Sequence, residues 1–221
     1  MSFEHRKDKF DNRNLNEKIY LYLRQLIISN VIKPGTRLDY STLSKKLGVS
    51  KTPIRDAFHF LERDGLVEIR SRSGTFVSIP QEKDIIEVYD IRKALERQAV
   101  AAAAKHLKKE KLMKLLDEVN EAERAIKKNN FQPFFQSDRN LHQTIIEHSG
   151  NRRLMKIFQS IEAQIAWLGV IISKTSERPS IASISHRKIL TALLNDEIET
   201  AQQLMEEHIE SIKQMTLNEM K

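Results

Sequence analysis

Residues Ser41 to Val77 read STLSKKLGVSKTPIRDAFHFLERDGLVEIRSRSGTFV, and the fold of the first third of this 221-residue chain turns on that stretch. Leu43 and Leu47 give a short helix one apolar edge, Gly48-Val49-Ser50 makes a tight turn, and Pro53 opens a second helix. Thr52 is the expected N-cap of that helix, because proline suits the first helical position and a threonine hydroxyl satisfies a free N–H. Ile54, Ala57, Phe58 and Leu61 recur at helical spacing, so one face is apolar while Lys51 and Arg55 project at its start. Gly65 stops the helix where a left-handed residue costs least. Two short alternating runs follow, Leu66 to Arg70 and Thr75 to Ile79, joined by the basic turn Ser71-Arg72-Ser73-Gly74. A helix-turn-helix followed by a β-hairpin is a winged helix.

Working outward, Ser50-Lys51-Thr52-Pro53-Ile54-Arg55-Asp56-Ala57, then Gly65-Leu66-Val67, then Gly74-Thr75-Phe76-Val77, carry a resemblance to the DNA-binding signature of the GntR family of bacterial transcription regulators. The preceding Pro34-Gly35-Thr36-Arg37-Leu38 run fits the same pattern. The resemblance implies DNA contacts by Arg37, Lys51, Thr52 and Arg55, with Gly74 bringing the backbone of the wing near phosphate. Arg72 joins that set by its charge and its place at the hairpin tip. Lys51 stands where the family usually carries arginine, and Ile54 where valine is commoner. The lysine keeps the charge but loses the planar fork that reads a guanine edge.

Charge distribution agrees with a nucleic-acid partner. The net charge is +7, yet residues 1–80 hold 15 Lys+Arg against 9 Asp+Glu while residues 81–221 hold 22 against 21. The basicity therefore sits in the winged-helix third, where neutralising phosphates and releasing counterions supplies affinity for DNA. The absence of cysteine excludes disulfides and thiolate metal sites and fits a cytoplasmic protein. No membrane association is expected, since no apolar run approaches the length of a span and the polar start of the chain is unlike a signal peptide.

Met1 to Asn14 is polar and expected to fray, with Phe3 and Phe10 its only candidates for packing. From Leu15, the positions Ile19, Tyr22, Leu23, Leu26 and Ile27 mark an amphipathic helix ending near Ser29-Asn30. The pattern changes near Pro80-Gln81, so the expected domains are 1–80, a winged helix-turn-helix that binds DNA, and 81–221, an all-α bundle of about six helices. The fold class is mainly α. The six helices are expected from Asp84, from about Leu112, from Pro133 to His148, from Asn151 to about Ile172, from Ser180 to Leu194, and from Glu197 to Leu217.

The candidate site of the second domain emerges from helical periodicity. Asp138 and His142 are four apart and share a face with Leu141 and Ile145. His186 falls with Ile189, Leu190 and Leu193, and His208 with Leu204, Met205 and Ile212. A carboxylate on a core-facing stripe is costly unless paired or bound to a cation, so these four residues form a candidate nitrogen-and-oxygen metal site. A core histidine more often only packs, and periodicity alone does not carry the assignment. His148 lies close enough in sequence to His142 to take its place if the register shifts. His5, His59 and His106 read as surface or structural residues.

Asp138-x-x-x-His142, His186 within His-Arg-Lys-Ile-Leu-x-Ala-Leu, and His208 within Ala-x-x-x-Met-x-x-His resemble the metal-binding pattern of the FCD domain of the FadR subfamily. That resemblance implies Asp138, His142, His186 and His208 as ligands of a divalent metal ion, with zinc, nickel and manganese-like ions all suited to such donors. It implies an effector that is a small carboxylate or sugar acid touching the metal, and it argues against fatty acyl-CoA. Arg92 and Glu96 match the family's Arg-x-x-x-Glu pattern. Arg92 is either a cavity residue that holds an effector carboxylate or half of a solvated ion pair with Glu96.

Together these readings imply a DNA-binding transcription regulator, a repressor released by effector. It would bind a pseudo-palindromic double-stranded operator as a homodimer. Two other readings stay open: a sensor of the metal itself, and a DNA-tethered metalloenzyme with Glu147 or Glu162 as its base.

Overall fold

The computed structural model describes residues 7–172 and 177–220, with residues 7–14 and 172 described by backbone path alone. Phe3 and His5 lie outside the described residues, as does the Phe10 side chain. The chain forms two compact units, Met1–Pro80 and Gln81–Lys221.

The first unit begins with α1 (Lys7–Ile28), then β1 (Arg37–Leu38), α2 (Tyr40–Leu47), α3 (Lys51–Arg63), β2 (Val67–Arg70) and β3 (Gly74–Val77). Helix α1 starts before the Leu15 expected from periodicity, within the polar stretch expected to fray. Its apolar stripe, Ile19, Leu23 and Ile27, is buried with Ile54, Ala57, Phe58 and Leu61 of α3. The sheet is antiparallel in the order β1-β3-β2, with Val67 opposite Val77, Arg70 opposite Gly74, and Arg37 opposite Phe76. The third strand, β1, was not anticipated; two residues are too few to show alternation.

Asp39 caps α2, its Oδ1 accepting from Thr42 N at 2.7 Å, and Gly48 ends that helix at φ 68°. Helix α3 corrects the expected cap: it begins at Lys51 with Ser50 in the N-cap position, and Thr52 is its second helical residue. All N–H groups of a first helical turn lack an intrahelical acceptor, so Pro53 is as well tolerated at the third position as at the first. Gly65 takes φ 70° as its role at the helix end requires, and Arg72 turns the hairpin tip at φ 60°. Ser78 remains tied to the sheet edge, its N–H donating to Leu66 O at 3.0 Å.

The second unit consists, among the described residues, of six helices: α4 (Glu82–Ala103), α5 (Lys109–Ile126), α6 (Gln132–His148), α7 (Arg152–Ile172), α8 (Glu177–Leu194) and α9 (Ile198–Met220). Asp84 does cap α4, but as the third residue of a capping box whose N-cap is Gln81; its Oδ2 accepts from Gln81 N at 2.8 Å. Asn151 caps α7 by accepting from Arg153 N and Leu154 N, both at 3.1 Å. Helix α8 begins ahead of the expected Ser180, with Pro179 in its first turn for the reason given for Pro53. Helix α4 packs along α9, α8 against α9 and α5, and α5 against α6. Leu141, Ile145, Ile189, Leu190, Met205 and Ile209 are wholly buried between them. Each such side chain gains about 1.5–3 kcal/mol on leaving water.

Helix α7 departs from expectation in one respect. By length and composition it could cross a membrane, with a mean hydropathy of 1.2 over Arg152–Ile171. Only about a third of that window is buried, on the face that carries Leu154, Phe158, Ala163, Trp167 and Leu168.

Candidate functional site

Two sets of functional side chains were expected, and the structure places them in opposite environments. In the winged-helix unit, Lys51 and Arg55 stand one turn apart on α3, both exposed, and Thr52 is exposed beside them. The start of α3 also presents the free N–H groups and the positive end of the helix dipole, which favour an anion. Arg72 is exposed at the hairpin tip. Lys51, Arg55 and Arg72 make no ion pair among the described residues. Arg37 lies against the wing: a Cβ built on Gly74, at φ 120°, would meet Arg37 Nε at 3.1 Å. Glycine is needed there for both backbone and space. Arg70, by contrast, is occupied by Glu68 at 2.8 Å and by the Phe76 ring at 4.8 Å.

In the helical unit, the expected ligands Asp138, His142, His186 and His208 converge from α6, α8 and α9. One ligand atom from each lies within 4.8 Å of all the others. His186 Nε2 is 3.2 Å from His208 Nε2 and 3.6 Å from Asp138 Oδ1, and His142 Nε2 is 3.7 Å from the same oxygen. Donors about 2.1 Å from one tetrahedral centre would stand roughly 3.4 Å apart, so these spacings suit a shared ion. The histidines are at most 3% exposed, while Asp138 keeps 29% of its side chain open. His142 Nε2 and His208 Nδ1 are buried without a hydrogen-bond partner among the described residues. For His142, whose Nε2 is the nitrogen that faces Asp138, such an orphan is costly in protein alone and ordinary for a metal ligand. His148, the alternative, bonds instead to Thr144 O at 2.8 Å and takes no part.

Electrostatics prepare the donors. Burial, with nearby positive charge, pushes the His186 pKa down to about 3 against the pull of Asp138, and burial likewise holds His208 well below its ordinary range. Both rings are therefore neutral at pH 7, with lone pairs free. Burial alone would raise Asp138, but His142, His186, Arg92 and Arg178 outweigh it and keep the carboxylate ionised.

Arg92 is 3% exposed and Glu96 wholly buried, joined Nε to Oε1 at 2.6 Å. The solvated-face reading of this pair is thereby corrected: the ion pair exists, but inside. The other Glu96 oxygen accepts from His142 Nδ1, which fixes the ring's tautomer and turns Nε2 toward the cluster. Burial opposes ionisation of Glu96, yet His142 and Arg92 hold its pKa down to about 2.

A cavity of about 70 Å³ opens beside this cluster. Arg92, Asp138, His142 and His208 line it together with Phe134, Phe158 and Ile212, and Arg139, Gln143 and Glu162 are also in its wall. Arg178 lines it too and was not singled out from sequence. Its signal was available: Arg178, Ala182 and His186 recur four residues apart, but the helix was expected to begin after Arg178. Of the two bases open to an enzyme, Glu147 is exposed and Glu162 bonds to Gln143.

A winged helix with unpaired surface cations, joined to a helical unit that encloses a three-histidine, one-aspartate cluster beside a small cavity, defines a DNA-binding regulator with a ligand domain. The chain belongs to the gntR family of bacterial regulatory proteins, which matches residues 15–77, and carries an FCD domain over residues 87–211, the combination of the FadR subfamily. It is similar to the HTH-type transcriptional repressor RspR of Escherichia coli (strain K12), 24% identical over 200 residues that cover 90% of this chain and 88% of that one. The GntR regulator from Rhodococcus sp. RHA1 has the same fold, with a TM-score of 0.77 at 22% identity over 92% of this chain and 97% of that one. The Zn2+-bound FCD domain of TM0439 aligns with a TM-score of 0.54 at 20% identity, over 65% of this chain and 98% of that one. The protein is accordingly a DNA-binding transcription regulator and not an enzyme.

Proposed function

We propose that this protein is a repressor whose operator binding is relieved by a small carboxylate or sugar acid at a metal site in the helical domain. The observation that carries the reading is the convergence of Asp138, His142, His186 and His208 beside a cavity that also presents Arg92. Those four residues would hold the ion, which when bound supplies a Lewis-acidic position for an effector oxygen. Glu96 orients His142, and Arg92 offers the carboxylate a bidentate partner. Zinc is the first candidate, since the FCD domain of TM0439 is Zn2+-bound, and nickel or manganese-like ions suit the same donors.

In this reading, residues 1–80 bind DNA and residues 81–221 bind effector and form the homodimer. Lys51, Thr52 and Arg55 enter the major groove, Arg37 and Arg72 meet phosphate or base edges, and Gly74 lets the wing approach the backbone. Two such units on a dimer fit a pseudo-palindromic operator, in the cytoplasm where DNA is found. The effector must bind one arrangement of the dimer better than the other. Burial of three ligands favours a resident ion over the metal-sensor reading.

The test is elemental analysis of the purified protein and of the His142→Ala/His186→Ala double variant, with thermal melting of both in a panel of small carboxylates. Stoichiometric metal and carboxylate-induced stabilisation in the parent, both lost in the variant, support the reading. A folded parent that takes up no metal on reloading removes it.

A further inference from the structure

Arg178 is the buried cation for which the effector site as described has no use. It is 6% exposed, on the inward face of α8 two turns before His186. Its Nη2 donates to Tyr89 Oη at 2.9 Å, and its Nη1 is buried with no hydrogen-bond partner among the described residues. No carboxylate lies within ion-pair distance of it among those residues. The anions nearby are already engaged: Glu96 by Arg92 and His142, and Asp138 by His142 and His186. A buried guanidinium with an unspent N–H and no carboxylate in contact with it is expensive, and a ligand that supplies one would complete it.

Charge bookkeeping leads to the same place. With the histidines bound to a divalent ion, Asp138, Glu96 and Glu162 stand against Arg92, Arg139, Arg178 and the ion in and around the cavity wall, leaving two positive charges in excess. A monocarboxylate at the ion would cancel one. Arg178 and His186 lie eight residues apart on one face of α8, and Arg178 borders the same small cavity as Asp138, His142 and His208. The apolar wall contributed by Phe158 and Ile212 suits the short carbon chain between two charged ends.

We propose that Arg178 is the second anchor of the effector site, and that the effector is a short dicarboxylate with one carboxylate at the metal and the other on the Arg178 guanidinium. This rests on the metal-and-carboxylate reading above. A bidentate partner selects for the second carboxylate, because a ligand lacking it leaves Arg178 uncompensated.

The test is calorimetric titration of the metal-loaded full chain with malonate and succinate against acetate and propionate. It is repeated for Arg178→Gln and Arg178→Lys, with metal content measured before and after. The dicarboxylates are expected to bind on the order of ten- to a hundredfold more tightly than the monocarboxylates. Arg178→Gln should bring succinate to the level of propionate at matched metal occupancy, costing propionate far less than succinate, and Arg178→Lys should restore part of the preference. Equal affinity for succinate and propionate in the parent overturns the proposal and leaves the carboxylate reading standing. So does an equal loss of both in Arg178→Gln, which marks a structural role. Binding of neither class to a metal-replete parent overturns both. The parent comparison decides the matter even where Arg178→Gln does not fold.

Discussion

The two units of this protein keep their candidate functional side chains in opposite environments. Lys51, Arg55 and Arg72 stand exposed and make no ion pair among the described residues, whereas Arg92, Glu96, His142, His186 and His208 are buried and interlocked. Water stabilises an unpaired charge at no cost to the fold, so the first set is free to meet a large, charged surface such as DNA. A buried charge must be matched by its neighbours, so the second set is part of the structure it serves. Changing a residue of the first set should alter binding alone, and changing one of the second should alter stability as well.

Glu96→Ala is the severest test of that contrast. It leaves Arg92 buried without its carboxylate and His142 without its orienting acceptor, and should destabilise the protein by about 3–5 kcal/mol. Denaturant unfolding that shows less than about 1 kcal/mol would mean that the interior tolerates loose charge and that the contrast fails. Acid gives the next effect in size. His186 has a pKa of about 3 in the fold against an ordinary 6.5, so the unfolded chain takes up a proton through the interval where the native ring stays neutral. Its contribution is complete above about pH 6.5 and is lost as pH falls toward 3, at up to about 1.4 kcal/mol per pH unit. His208 acts in the same direction. Unfolding of metal-free protein at pH 7 and pH 5 should show the loss.

Arg55→Ala makes the opposite case. Operator affinity should fall by about 1–3 kcal/mol if Arg55 contacts a base, with unfolding unchanged within about 0.5 kcal/mol. The smallest effect separates burial from location: Glu87→Gln breaks the exposed Lys83–Glu87 pair of the helical unit, whose atoms are 3.5 Å apart. It should cost no more than about 0.5 kcal/mol by denaturant unfolding, showing that it is the depth of a charge and not its unit that sets the cost.

The same difference in environment decided what the sequence revealed. The winged helix was legible because its turns require particular residues: Gly48 and Gly65 take positive φ, and Gly74 admits Arg37. The candidate ligand histidines were legible because each recurs with leucine and isoleucine at helical spacing. Helix starts were less so. Pro53 and Pro179 mark a first turn without saying which of its positions they fill, which displaced the cap from Ser50 to Thr52 and hid Arg178 outside its helix. Strand β1 is too short for any period to show. Whether Arg92 and Glu96 faced water or each other in the interior was beyond spacing altogether, since an i,i+4 pair looks alike on either face.

The capping box at Gln81 has a mechanical consequence. Ser78 is fastened to Leu66 on one side, and Gln81 is bound into the start of α4 through Asp84 on the other. Ile79 and Pro80 lie between those two anchored residues, and the proline ring locks one backbone torsion there. The start of α4, the helix that carries Arg92 and Glu96, is thus held by a side chain of its own first turn and frays only once the Asp84 carboxylate lets go.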